Sequence, residues 1–178
     1  MAYHDGLTGL PNRTLFNDRL EQALLLSARE NHSGIIAFID LDNFKEINDT
    51  YGHAAGDELI KIIAGRLTLC VRGSDTVARM NGDEFLIIFQ KVAGDEHVTT
   101  LAQQLLNTIS KPVVLQGAQI TPLASIGLCY FPEHGNSVDE LLRCADNAMY
   151  KVKHEGRNSF HLVGSNKQTA DKDIEGDF

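Results

Sequence analysis

Two pairs of acids carry the chemistry that this sequence could do. Asp40-Leu41-Asp42 directly follows the apolar run Ile35–Ile39, and Asp83-Glu84 follows Asn81-Gly82. The first run is short, β-branched and aromatic, which predicts a buried strand ending in two carboxylates at a sheet edge, where α/β proteins commonly bind ligands. Spacing of i and i+2 keeps both acids on one face while the chain stays extended. Asn81-Gly82-Asp83 separates two strand-like runs, Thr76–Met80 and Glu84–Phe89, and Asn-Gly in that setting is a strong hairpin signal. If hairpin and strand are neighbours, three or four carboxylates converge. Such a cluster is costly without a cation, and hard oxygen ligands with open positions suit Mg²⁺ held together with phosphate. Two metals beside a triphosphate would clamp an in-line displacement. Either pair alone reads equally well as solvated acids at a strand end or a turn. Lys45, Lys153 and Arg157 are cations suitably placed for phosphate, although the last two also complement a helix C-terminus.

The elements that must position these groups follow from periodicity. Residues 1–13 read as an irregular lead-in. Helices are predicted from Leu15 to about Ala28, from Asp57 to Val71, from Val98 to Ile109 and from Val138 to about Lys153. The stretch Asn43–Gly56, rich in turn formers, is expected to be irregular. Gln119–Tyr130 reads as one strand with Pro122 near its start, and Ser159–Val163 as a last strand. The order helix, strand, helix, hairpin, helix, strand, helix, strand predicts an α+β domain over 1–163 with a mixed sheet covered by helices. The polar segment 164–178 is expected to be a disordered tail.

Composition narrows the function. The 178 residues carry 16 basic and 24 acidic side chains, a net charge of −8, which excludes a nucleic-acid surface built on a basic stripe. No apolar run approaches the ~20 residues of a membrane helix, so no direct membrane contact is expected, and the N-terminus has no pattern of a secretory leader. Three cysteines without a CxxC suit free buried thiols in a reducing, cytoplasmic setting. A P-loop GxxxxGK[ST], HExxH, GxSxG and zinc-type Cys/His spacing are all missing. The seven histidines are scattered and read as surface or core residues.

Five motifs in order carry a resemblance. They are Asp5-x-Leu-Thr-Gly-Leu-Pro-Asn-Arg13, Phe38-Ile-Asp-Leu-Asp-Asn-Phe-Lys-x-Ile-Asn48-Asp, Gly52-His-x-x-Gly-Asp57, Arg79-Met-Asn-Gly-Asp-Glu-Phe85 and Ala145-Asp-x-Ala-Met-Tyr-x-x-Lys153-x-x-Gly-Arg-Asn158. Together they resemble the GGDEF domain of diguanylate cyclases. The resemblance implies a largely antiparallel sheet of nucleotidyl-cyclase or polymerase-palm type, with the signature on a β-hairpin. It implies condensation of two GTP into cyclic di-GMP and two pyrophosphates, with Mg²⁺ or Mn²⁺, by a homodimer of facing domains. It further implies that Asp40, the carbonyl of Leu41, Asp83 and Glu84 hold metal, with Asp83 a candidate proton acceptor. Asn48 and Asp57 would read the guanine edge. Lys45, Gly82, Lys153 and Arg157 would sit on the phosphates, with Lys45 offsetting charge in the transition state. Arg72 and Asp75 occupy the place of the family's product-inhibition RxxD, and as a bare RxxD they also read as a helix-end pair. Two positions depart from the pattern. The first signature glycine is Asn81, a residue that tolerates positive φ. No arginine lies between Met80 and Leu142 to supply the second arginine that some members add to the product site. A chain beginning so near the first motif implies a larger parent with sensor or phosphodiesterase neighbours, which could itself be membrane-anchored. The alternative implied by Asn81 is a degenerate module that binds GTP or cyclic di-GMP and regulates such a neighbour.

Overall fold

The computed structural model describes residues 2–164; the expected tail lies outside the described residues apart from Gly164. The element order is α1 (Arg13–Glu30), β1 (Gly34–Leu41), α2 (Phe44–Tyr51), α3 (His53–Leu69), β2 (Thr76–Arg79), β3 (Glu84–Phe89), α4 (Asp95–Ile109), β4 (Val113–Leu115), β5 (Ala118–Ile120), β6 (Ala124–Phe131), α5 (Val138–His154) and β7 (Ser159–Leu162). Five strands form one sheet in the order β2-β3-β1-β6-β7, and β4 pairs with β5 separately. Every pairing is antiparallel except β6 with β7.

β1 is central and apolar from Ile35 to Ile39 because both faces of the sheet are covered. Ile35, Ala37 and Ile39 face a core completed by Leu59 and Ile63 of α3 and Val98 and Leu105 of α4. Ile36 and Phe38 face a second core, with Phe16 and Leu20 of α1 and Leu141, Ala145 and Met149 of α5. α1 starts where the Asn12 side chain accepts a hydrogen bond from the Leu15 N–H, and α5 where Ser137 does the same for Glu140. Asp139 and Glu140 in the first turn of α5, and Lys151, Lys153 and His154 in the last, complement its dipole.

One glycine sets how close α5 lies to the sheet. A Cβ on Gly127 of β6 would stand 2.1 Å from the Ala145 carbonyl oxygen and 2.3 Å from the Met149 nitrogen. Only glycine lets strand and helix backbones touch there.

The sequence-based expectations need four corrections. Residues 43–56 are not irregular: α2 occupies 44–51, and its helical pattern is masked by Asn and Thr. Asn43 (φ 58°) and Gly52 (φ 91°) break the chain on either side of it. The strand expected over 119–130 is two strands, β5 and β6, interrupted at 121–123 around Pro122, which cannot donate to a ladder. β4 was not anticipated, since three residues are too few to show alternation. Finally, Cys129 and Cys144 are not free thiols but form a disulfide, with Cα atoms 6.4 Å apart; Cys70 remains free. The pairing arises because β6 faces α5 across the second core, which a sequence separation of 15 does not reveal.

Candidate active site

The acids at the ends of β1 and β3 converge. Asp40 and Glu84 are register partners, and the Leu41 N–H donates to the Asp83 carbonyl oxygen at 3.3 Å. By strand alternation Asp40 and Glu84 share the face that carries Phe38, Ile36 and α5. Lys153, on the last turn of α5, reaches across to Asp40. Its Nζ lies 2.7 Å from Asp40 Oδ1, 3.4 Å from the Leu41 carbonyl oxygen and 3.2 Å from Asp42 Oδ1. The i, i+2 spacing thus brings Asp40 and Asp42 to one cation, but the two differ in role. Asp42 is buried and fully used by the fold, accepting from Ser125 Oγ at 2.7 Å and the Asn158 N–H at 2.9 Å. It ties β1, β6 and the turn before β7 together and leaves Asp40 as the strand-end acid of the cluster.

Charge crowding is visible in the titration of the group. Burial and the neighbouring Asp40 carboxylate push Asp83 up to about 6, with Lys153 opposing. Burial, then Asp40, Asp83 and Asp146, raise Glu84, while Arg13 lowers it. Burial and Asp40 raise Asp146 as well. Carboxylates that resist ionisation together, beside the Leu41 carbonyl, form an oxygen-only donor set that a hard divalent cation would relieve. These residues therefore fit Mg²⁺.

The hairpin tip depends on one glycine. Gly82 adopts φ +47°, whereas Asn81 is outside the positive-φ region and its carbonyl accepts from the Glu84 N–H at 2.8 Å. The tolerance of asparagine for positive φ is therefore not what preserves the turn. Asn81 lines a cavity instead. Arg79 braces the hairpin, donating from Nε to the Gly82 carbonyl oxygen at 2.9 Å and from Nη1 to Asp5 at 3.1 Å. Burial opposes ionisation of Asp5, yet hydrogen bonds from Thr8 and the Arg79 guanidinium outweigh it and hold its carboxyl below the usual value. The lead-in is in this way a fixed part of the site, a coupling that the spacing of residues 5 and 79 does not announce.

Asn48 and Asp57 come together on α2 and α3. The Asn48 side chain lies where a Cβ of Gly56 would be, 1.8 Å from that position, which places it beside the residue preceding Asp57. Lys45 is exposed on the first turn of α2, and Arg157 is exposed with φ 63° just beyond α5. Neither forms a salt bridge among the described residues, so neither joins the acid cluster as Lys153 does. Arg72 and Asp75 stand apart from it. Asp75 accepts from the Arg72 N–H at 2.9 Å and from the Gln90 N–H at 3.0 Å, which closes the turn before β2, while the Arg72 side chain is exposed beside Lys91 and His97. That answers the helix-end reading: Asp75 holds backbone rather than the Arg72 guanidinium.

With this geometry in view, comparison with known proteins is decisive. A family model described as "Diguanylate cyclase, GGDEF domain" matches residues 2–159. The chain is a GGDEF domain. It is 42% identical over 160 residues to the bifunctional diguanylate cyclase/cyclic di-GMP phosphodiesterase MucR of Pseudomonas aeruginosa, covering 90% of this chain and 23% of that one. It is 39% identical over 159 residues to the cyclic di-GMP phosphodiesterase NbdA of the same organism, covering 89% and 20%. The solved GGDEF domain of TpbB (YfiN), also from Pseudomonas aeruginosa, superposes with a TM-score of 0.87 at 38% identity, covering 94% of this chain and 98% of that one. The GGDEF domain thus spans about a quarter or less of MucR and NbdA. Its mixed, mostly antiparallel sheet has the palm architecture that the motifs implied. No helix among the described residues is long and apolar enough to cross a membrane.

Sequence reasoning passed over Arg13, Arg143 and Asp146 as functional candidates. They line a cavity of about 360 Å³ that shares Glu84 and Asn81 with the hairpin. The signal was present, since Arg13 and Asp146 lie within the quoted motifs and Asp139, Arg143, Asp146 and Lys153 fall on one stripe of α5 at spacings of four, three and seven.

Proposed function

We propose that this domain is a diguanylate cyclase: it condenses two GTP into cyclic di-GMP and two pyrophosphates, as a dimer of facing domains. The observation that supports it best is the complete set of acids, Asp40, Asp83 and Glu84, gathered at one strand edge with Lys153 against them. In this reading Asn48 and Asp57 orient the guanine, the carboxylate accepting from N1–H and the exocyclic amine. Lys45, Lys153 and Arg157 hold the triphosphate. Bound Mg²⁺, held by Asp40, the Leu41 carbonyl, Asp83 and Glu84, would supply a Lewis acid on the phosphate oxygens. The 3′-hydroxyl oxygen of one nucleotide attacks the α-phosphorus of the other; the new O–P bond forms as the bond to the β-phosphate oxygen breaks. A carboxylate oxygen of Asp83 takes the hydroxyl proton. Product binds at Arg72, with Lys91 supplying a cation that no second arginine provides. A GTP-consuming domain of this kind works in the cytoplasm, beside sensor or phosphodiesterase domains of a longer chain.

The test is to incubate the domain at high concentration with GTP and Mg²⁺ and to separate the products by chromatography. Cyclic di-GMP and pyrophosphate that vanish in Asp83→Ala support the reading. Silence in a sample that still binds GTP or cyclic di-GMP refutes it in favour of a regulatory module. Asn81 favours that second reading, since it sets a side chain where the family signature has glycine. If crowding by Asn81 limits turnover, Asn81→Gly raises it.

A further inference from the structure

None of Asn48, Asp57, Lys153 and Arg157 lines the cavity on the α1/α5 face of the sheet. In the cyclase reading Asn48 and Asp57 hold the guanine, and Lys153 and Arg157 at the C-terminal end of α5 hold the leaving pyrophosphate. The cavity lies toward the N-terminal end of α5. Its α5 wall is Asp139, Leu142, Arg143 and Asp146, and Asp146 is about 10 Å from Lys153 along the helix at 1.5 Å per residue. An in-line displacement requires the nucleophile to enter opposite the leaving group. Glu84, shared by the acid cluster and the cavity, marks the point where the two meet.

The lining suits a sugar phosphate. Phe38, Met80 and Leu142 supply apolar lining, Arg13 and Arg143 supply two cations, and Glu84, Asp139 and Asp146 supply three acids. Neither arginine forms a salt bridge among the described residues. Asp146 can accept hydrogen bonds from ribose hydroxyls, and a volume of about 360 Å³ lies within the range of sites that take small molecules.

We infer that this cavity is the acceptor subsite, which receives the ribose and 5′-phosphate of the attacking nucleotide delivered by a second copy of the domain, with Arg13 and Arg143 on the phosphate and Asp146 on a ribose hydroxyl. The inference rests on the cyclase reading and adds to it the residues that hold the nucleophile. It also explains why a single copy is incomplete, since the group filling the cavity is tethered to another domain's guanine site.

The test uses Arg143→Ala, Arg143→Lys and Arg13→Ala, all at exposed positions. GTP affinity is measured by calorimetry with Ca²⁺ replacing Mg²⁺ to suppress turnover. Turnover is measured at saturating GTP over a series of domain concentrations. Losing one hydrogen bond to a charged group predicts turnover lower by about ten- to a hundredfold at every domain concentration, GTP affinity within about twofold, and partial recovery in Arg143→Lys. Unchanged turnover in both alanine variants overturns the inference. So does a deficit that vanishes at high domain concentration, which would make these residues docking contacts, or a parallel loss of GTP affinity, which would make them contacts of the domain's own nucleotide. An active wild type with unaffected variants defeats the inference alone; a silent wild type that binds GTP defeats the cyclase reading and the inference with it.

Discussion

Replacing Lys153 with methionine keeps the length of the side chain and removes the ammonium that bridges Asp40 and Asp42. The Lys153 and Asp40 side chains are 19% and 17% exposed, and that of Asp42 only 1%. Removing one partner of a fully buried ion pair costs ~3–5 kcal/mol. Here the residual exposure of Asp40 and the hydrogen bonds that Asp42 keeps from Ser125 and Asn158 argue for the low end, about 3 kcal/mol. For a domain of this size that lowers Tm by about 6–12 °C, or the urea midpoint in proportion. The same substitution leaves Asp40 and Asp83 without the Lys153 ammonium, so Mg²⁺ no longer competes with it. The stabilisation by Mg²⁺ should therefore be larger in the variant, by about 1.4 kcal/mol for each tenfold gain in affinity. Thermal melts of both proteins with and without Mg²⁺, with Asp42→Asn in each background, separate the contributions. A loss below about 1 kcal/mol, an equal response to Mg²⁺, or no coupling between Lys153→Met and Asp42→Asn would refute the bridging role.

Three other outcomes are expected. Gly127→Ala places a Cβ within 2.3 Å of two backbone atoms of α5, so it should cost about 3 kcal/mol or more in urea unfolding and reduce turnover by moving Lys153; near-wild-type stability would mean that α5 is not seated on β6 as described. Asp83 has its pKa raised from 3.8 to about 6 in the metal-free fold, so the folded state binds the extra proton and stability falls as pH rises through that window. Asp83→Asn should accordingly raise Tm at pH 7 and not at pH 4 in chelator, and a gain of equal size at both would contradict the crowding of the acids. Arg72→Ala should weaken cyclic di-GMP binding by about tenfold or more in calorimetry while GTP affinity holds, and unchanged product affinity would remove Arg72 from the product site.

The strands and long helices were legible because hydrophobic periodicity is a local property. α1, α3, α4 and α5 each bury one stripe within a few turns, β1 and β3 are short apolar runs buried on both faces, and the Asn-Gly hairpin is encoded in adjacent residues. α2 escaped because its Asn and Thr favour turns in isolation, and it forms only where packing against α3 outweighs that preference. The acids of the candidate site and Lys153 were marked by strand ends and a helix end, while Asn48 and Asp57 were marked only by the resemblance to the GGDEF motifs. What tertiary structure alone decided is non-local. Asp42 became a buried tie while its neighbour Asp40 remained the cluster's acid, because Ser125, Asn158 and Lys153 converge on Asp42 from three distant segments. Cys129 and Cys144 met because β6 packs under α5, and Arg13, Glu84 and Asp146 came to share one cavity because α1, β3 and α5 meet at the same end of the sheet. Sequence determines which groups exist and which element carries each; only the crossing of elements far apart in the chain determines which charges face one another and which are left to meet a substrate.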